Sequence, residues 1–483
     1  MSHEPLRNDA GLLDAYLTNL ETHPTPMTVP GHKRLAGLLD DGLGIVVDRD
    51  IQLYGGLDTV KLTNDTLGHA ERRMAEYYGA DWCRFSVGGS THANQALCLA
   101  LGQPGDTIIV NRSLHRSMLI GFVLSGLNPV WLPTEIDDGS GLPMGVSLES
   151  VTAAINAHPD AVAVALVEPG YLGTTSEVKA IIDLVHASGM RVVVDQAWGA
   201  HFGLHPDLPA HAMALGADAL VTSVHKLLVG YTQASILVAN TDVLDVDRLE
   251  RGFEATSTTS PAGAILASID GSRALVEQRG EELMGHTLEL VRGARQRLAA
   301  EVPDVGLPDE HSVPGGRFDP TRFIIQLPQI GADGILIEQQ LLDDGISFEL
   351  VDRDTLLAMV TVADTQKSVD SLLDALIPAL QSGRGEPRRL PAALSWRVSP
   401  TTATSPREAF FAPHERVSAD QAVGRVSAEL IAPYPPGVPV LAPGEVITKI
   451  LLDGLREAAA DGVRIAYAAD PTLATFEVVA RER

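Results

Sequence analysis

From about residue 80 to residue 240 one unit recurs: a short apolar or β-branched run, a turn signal, then a segment with helical spacing. The runs are "RFSV" (84–87), "TIIV" (107–110), "PVWL" (129–132), "AVAVALV" (161–167), "RVVVD" (191–195) and "ADALVTS" (217–223). Each has the length of a strand and the uniform apolarity of one buried on both faces. Between most of them lie helix-like segments such as "THANQALCLALG" and "SEVKAIIDLVHASG". The second reads as capped by its serine, Ser176, and stopped by its glycine, Gly189. Parallel strands need such crossovers, so the alternation predicts an α/β chain with a mostly parallel central sheet covered on both faces. Ligands of such sheets sit at the carboxyl ends of the strands.

At 483 residues the chain is too long for one simple core. We expect an N-terminal segment (1–55), a large cofactor-binding domain (56–275), a small α+β domain (276–380) and a C-terminal domain (381–483). The small domain is read from the helical stretch after residue 275 and from "RFIIQL", "GILIEQQLLDDG" and "ISFEL". "QSGRGEPRRLPAA" (381–393) has the composition of a surface linker.

The formal net charge of −26 excludes nucleic acid and anionic membrane surfaces as main partners, because phosphate binding needs clustered Lys and Arg. The two cysteines, Cys83 and Cys98, form no CxxC pair and read as core residues of a reducing compartment. No basic segment followed by an apolar one opens the chain, and the longest apolar runs fall far short of the ~20 residues of a membrane span. A soluble, cytoplasmic protein is therefore expected.

The stretch "TSVHKLLVG" (222–230) sets Lys226 in apolar company, where lysine is rare unless it is paired or used. "VVVDQAWGAH" places Asp195 at the carboxyl end of the preceding strand, on the same predicted sheet edge. "SVGGSTHANQAL" puts a glycine turn between strand and helix, with Ser90 and Thr91 at a helix N-terminus that attracts anions. Each feature alone is usually bland: a snorkelling lysine, a turn aspartate, an ordinary helix start. Together they match pyridoxal 5'-phosphate, which needs a lysine, an acid beside its ring nitrogen and a phosphate cradle.

These stretches resemble the ornithine/lysine/arginine decarboxylase family, the branch with the aspartate-aminotransferase fold. The resemblance covers almost the whole chain. It includes "VPGHKR" (29–34), the segment from "GLDTV" to "STHANQAL" (56–97) and "PGDTIIVNRSLHRS" (104–117). It continues through "VVVDQAWGAHFGLH" (192–205), "TSVHKLL" (222–228), "STTSP" (257–261) and "YPPGVPVLAPGE" (434–445). The resemblance implies the pyridoxal-phosphate-dependent transferase fold, fold type I, with smaller α+β domains after the large one. It implies that Lys226 is the Schiff-base lysine, with His225 beside it at the phosphate or the reacting carbon. It also implies that Asp195 pairs with the ring nitrogen, that His115 stacks on one ring face and that Ala197 packs on the other. Ser90, Thr91 and Ser223 would bind the phosphate, and Thr259 would reach the phosphate of a partner subunit across a shared homodimer site. Trp198 and Glu445 would touch substrate, Glu445 at its distal cation. Many members have His where Trp198 stands, and a small or apolar residue where His92 stands. The chain resembles the shorter, biosynthetic type.

The implied reaction is decarboxylation of lysine, ornithine or arginine to the amine and carbon dioxide. Alternatives are an aminotransferase or an oxygen-dependent oxidase on the same amino acids, or a non-enzymatic binding protein. A transaminase usually clamps the substrate carboxylate with a bidentate arginine, for which Arg397 and Arg407 are candidates. No metal is expected: Gly203 and Pro206 break any helix that would align His201 with His205, and His211 stands in the same loop.

Overall fold

The predicted alternation becomes one sheet. A computed structural model of the chain describes residues 25–27, 66–259, 261–389, 400–434, 438–460 and 462–481. The "VPGHKR" segment, Arg397 and residues 435–437 of the proline-rich loop lie outside them.

A short strand, β1 (Thr25–Met27), precedes helix α1 (Thr66–Tyr78). The large domain then alternates β2 (Trp82–Ser86), α2 (Gly89–Leu101), β3 (Thr107–Asn111), α3 (Arg116–Ser125), β4 (Asn128–Leu132), α4 (Leu148–Ala157), β5 (Ala163–Val167), α5 (Val178–Ala187) and β6 (Arg191–Asp195). It continues through β7 (Ala219–Ser223), a one-turn helix α6 (Val224–Leu227), β8 (Ser235–Ala239) and α7 (Val246–Thr256). The strands form one seven-stranded sheet in the order β2-β8-β7-β6-β5-β3-β4. Only β8 runs against its neighbours. The six predicted runs match strands closely; β8, "SILVA", is additional.

Both faces of the sheet are buried. On one face Val164, Leu166, Val192, Val194, Leu220 and Ile236 pack together. On the other lie Ala163, Ala165, Val193, Val221 and Leu237. Odd and even residues of one strand thus serve two cores, which is why the runs read as continuously apolar.

Helix α8 (Gly263–Glu301) leads into the small domain. Its residues from Ile265 to Leu288 pack on the large-domain core, and Leu290, Val291, Ala294 and Leu298 join the small-domain core. The boundary expected at 275 therefore falls inside a continuous helix. The small domain holds β9 (Arg322–Gln326), α9 (Gly334–Asp343), β10 (Ile346–Phe348), β11 (Leu350–Val351), β12 (Thr355–Met359) and α10 (Gln366–Ser382). Strands β11, β12 and β9 form an antiparallel sheet, while β1 pairs in parallel with β10 and so belongs with this domain.

The C-terminal part contains α11 (Pro406–Phe411), β13 (His414–Ser418), α12 (Ala419–Ala422), β14 (Ala432–Tyr434), α13 (Lys449–Ala460), β15 (Arg464–Ala466) and β16 (Thr475–Val479). It has its own core around Ile447, Leu451 and Phe476, while Leu430 and Ala442 pack into the large domain. Among the described residues no helix is long and apolar enough to cross a membrane.

The serine cap expected for α5 is not formed. Its N-cap is Glu177, without a side-chain bond. The Ser176 hydroxyl instead donates to the buried Glu168 carboxylate, which also accepts the Ser176 N–H at 2.9 Å. The same hydroxyl oxygen accepts the Val146 N–H at 2.8 Å, so both its donor and its acceptor side are turned away from the helix start.

Candidate active site

Strands β6 and β7 run in parallel with Asp195 opposite Val221, so Asp195 and the Ser223–Lys226 segment emerge at one sheet edge. The turn from β2 to α2 reaches the same edge. Gly89 there has φ of +67°, a left-handed conformation that favours glycine. Helix α2 starts without a side-chain cap, which leaves its N-terminus ready for an anion. The Ser90 hydroxyl lies 2.8 Å from that of Ser223 and 3.0 Å from that of Ser235, tying the helix start to β7 and β8. Thr91 stands exposed beside it, and Thr259 is exposed beyond α7.

Lys226 points its ammonium at the Trp198 ring, with Nζ 3.7 Å from the centroid. Burial pushes its pKa from the usual 10.5 down to about 8, and Arg322 acts in the same direction. The charges of Asp195 and Glu349 oppose that shift. The result is a lysine with a usable fraction of neutral, nucleophilic amine near neutral pH. His225 sits beside it. Its Nδ1 is 2.8 Å from the Ala234 carbonyl, which can only accept, so Nδ1 carries the hydrogen.

Asp195 is buried and accepts from Asn94 Nδ2 at 2.6 Å and from the Ala197 N–H at 3.1 Å. The same Asn94 amide lies 3.0 Å from Ser117 Oγ, and Ser117 Oγ lies 2.8 Å from His115 Nδ1. His115 is the N-cap of α3, accepting the Ser117 N–H. It feels both Asp195 and Lys226, and surrounding protein holds its pKa below the usual histidine value although its ring keeps an open face. The donor set fits a phosphorylated pyridine aldehyde: hydroxyls at an open helix start, an amine of lowered basicity, and a carboxylate fixed for a ring nitrogen.

The family model for the Orn/Lys/Arg decarboxylase major domain matches residues 13–313, and that for the C-terminal domain matches residues 392–460. The chain is 34% identical to an arginine decarboxylase of Halalkalibacterium halodurans, over 97% of both chains. It is 32% identical to an arginine decarboxylase of Bacillus subtilis, over 96% of this chain and 98% of that one. The chain belongs to the Orn/Lys/Arg decarboxylase family. Lysine decarboxylase A from Pseudomonas aeruginosa shares the fold, with a TM-score of 0.76 at 18% identity, over 99% of this chain and 83% of that one. This decarboxylase thus has the fold expected from its motifs, that of the fold type I enzymes.

Two sequence candidates, Glu445 for a substrate cation and Arg407 for the clamp of the alternative aminotransferase, are engaged elsewhere in the structure. Glu445 is not open to a substrate cation. It is buried, bound by both terminal nitrogens of the Arg112 guanidinium, Nη2 at 2.8 Å, and by the Ala442 N–H at 2.7 Å. Arg112 is held in turn by the Pro439 carbonyl at 2.7 Å and the Trp131 ring at 4.8 Å. A carboxylate neutralised this way docks the C-terminal domain onto β3. Arg407 is not a carboxylate clamp either: it donates to the carbonyls of Val123 and Leu124 at 2.6 and 2.9 Å, closing the C-terminal end of α3.

His92 has a structural task. It bridges Ser86 Oγ at 2.8 Å and the Phe253 carbonyl at 3.0 Å, fixing α2 to α7. The loop histidines have separate environments: His201 is buried against Asp319 at 3.0 Å, His205 accepts from the Asp207 N–H, and His211 packs edge-on against Tyr78.

Four residues escaped the sequence reading. Asn94 stands one helical turn after Ser90 and shares its face, a spacing that was legible. Tyr171, Arg322 and Glu349 come from distant segments. Arg322 is fully buried, donates to the Trp198 carbonyl at 3.0 Å, and lies beside Asp319 at 3.4 Å.

Proposed function

We propose that this decarboxylase converts L-arginine to agmatine and carbon dioxide with pyridoxal phosphate bound at Lys226. The observation that carries the reaction is the convergence of Lys226, Asp195 and the Ser90 helix start on one sheet edge. The choice of arginine is supported by the near full-length relatives, both named arginine decarboxylases.

Pyridoxal phosphate supplies an electron sink for the pair left when the bond from the α-carbon to the carboxylate breaks. The chain's own residues do the rest. Lys226 offers an amine whose lowered basicity lets it exchange with a substrate amine. Asp195, oriented by Asn94 and the Ala197 N–H, would hold a proton at the ring nitrogen. Ser90, Thr91 and Ser223 would hold the phosphate, and His115 and Ala197 would flank the ring. Lys226 or His225 returns a proton to the α-carbon. Thr259, exposed after α7, would meet a partner's phosphate in a homodimer or higher homo-oligomer with shared sites.

The test is product analysis by mass spectrometry, with L-arginine, L-lysine and L-ornithine in competition. Agmatine as the main product is expected. Cadaverine or putrescine as the main product would overturn the substrate, and a keto acid or oxygen uptake would overturn the reaction.

A further inference from the structure

We propose that Glu349 and Tyr171 seat the distal cation of the substrate, with Trp198 as the floor between that seat and Lys226. The inference rests on the reading of Lys226 as the reacting amine of a basic-amino-acid decarboxylase.

The residues form a continuous wall. Lys226 Nζ lies over the Trp198 ring. Trp198 meets Tyr171 edge to face, with centroids 4.9 Å apart and planes at 80°. The Tyr171 hydroxyl donates to Glu349 Oε1 at 3.2 Å. Glu349 is positioned by the sheet, since its N–H donates to the Leu357 carbonyl at 3.0 Å between β10 and β11. The wall thus runs from the reacting nitrogen to a half-buried carboxylate in the small domain.

Its chemistry suits a cation at the far end of a side chain. Aromatic faces attract ammonium and guanidinium groups, and a guanidinium both stacks and pairs with carboxylate. The wall already holds two cations: the Lys226 ammonium 3.7 Å and the Arg322 guanidinium 4.9 Å from the Trp198 ring centroid, and the Glu349 charge acts on both. Were Lys226 to hold the cofactor, its nitrogen would no longer rest on that face as a free ammonium. Arg322 also feels Glu349, but it is fully buried and anchored to Asp319, the Trp198 carbonyl and Met359 Sδ. It is therefore fixed, whereas a substrate cation can come and go. Glu445, the other acid considered for this task, is taken by Arg112.

The experiment compares wild type, Glu349→Gln and Tyr171→Phe as holoenzymes. Agmatine is the binding probe in calorimetry, and L-arginine is the substrate in steady-state kinetics. Glu349→Gln is expected to weaken agmatine at least about tenfold and to raise KM for arginine comparably, with a smaller fall in kcat, as loss of a charged hydrogen-bonding partner implies. Tyr171→Phe should lose about two- to fivefold. The visible absorption of bound pyridoxal phosphate and the melting temperature should match wild type. Agmatine affinity within about twofold of wild type in Glu349→Gln, or no agmatine binding by wild type, overturns the proposal. Loss of the cofactor absorption in Glu349→Gln also overturns it, by placing Glu349 in cofactor binding. Wild type that turns over no basic amino acid would instead bring down the proposed function; the agmatine comparison would still decide the wall.

Discussion

Capture of pyridoxal phosphate by cofactor-free protein should follow the neutral form of Lys226. Burial lowers that lysine from 10.5 to about 8. At pH 7 about one molecule in ten then carries the free amine, against roughly one in 3,000 for an ordinary lysine, a difference of about 300-fold. The assay is stopped-flow mixing from about pH 6 to pH 10, following the visible band of the captured cofactor. The rate should climb about tenfold per pH unit and level off near 8. Asp195→Asn should move the bend lower, because the Asp195 carboxylate favours the ammonium. A rate that still rises tenfold per unit through about pH 9.5, or a bend moved upward in Asp195→Asn, would refute the reasoning.

Asn94→Ala removes a 2.6 Å bond to the Asp195 carboxylate, and cofactor affinity, read by titrating the visible band, should fall about tenfold or more. An unchanged affinity would show that the Ala197 N–H alone holds Asp195. Arg112→Ala strips the buried Glu445 of its cation, and chemical denaturation should reveal about 3–5 kcal/mol of lost stability. Burial holds the Glu168 carboxyl up at about 7, against the pull of its Ser176 bonds. The folded protein therefore keeps a proton that the unfolded chain releases above about 4.5, and stability falls as pH rises through that window, by up to about 3 kcal/mol. Glu168→Gln should flatten this slope in denaturation midpoints measured across pH.

What could be read from the sequence was whatever is local or periodic. "RVVVD" and "TIIV" announce their strands because burial on both faces makes every position apolar. Lys226 and Asp195 stand out because strand order alone brings successive carboxyl ends to one edge. Pairings across long separations carry no such signal. The carboxylate of Glu445 looks solvated or ligand-directed until Arg112, 333 positions away, is placed against it. Tyr171 and Glu349, 178 apart, are likewise ordinary residues of two loops until the domains pack. Ser176 misleads for a subtler reason: its spacing is right for a cap, but its hydroxyl is engaged by Glu168 as donor and by the Val146 N–H as acceptor.

The uninterrupted α8 acts as a gauge between the two halves of the catalytic unit. Each residue of a helix advances it by about 1.5 Å and turns it by about 100°. Deleting one residue near Leu288, where the helix changes allegiance from one core to the other, would swing Leu290 and Leu298 off their core by more than a quarter turn. It would carry Glu349 away from Tyr171 with them. The length of this helix is thus part of the site's address. Variation in chain length between relatives should accumulate elsewhere, in exposed connections such as residues 383–387.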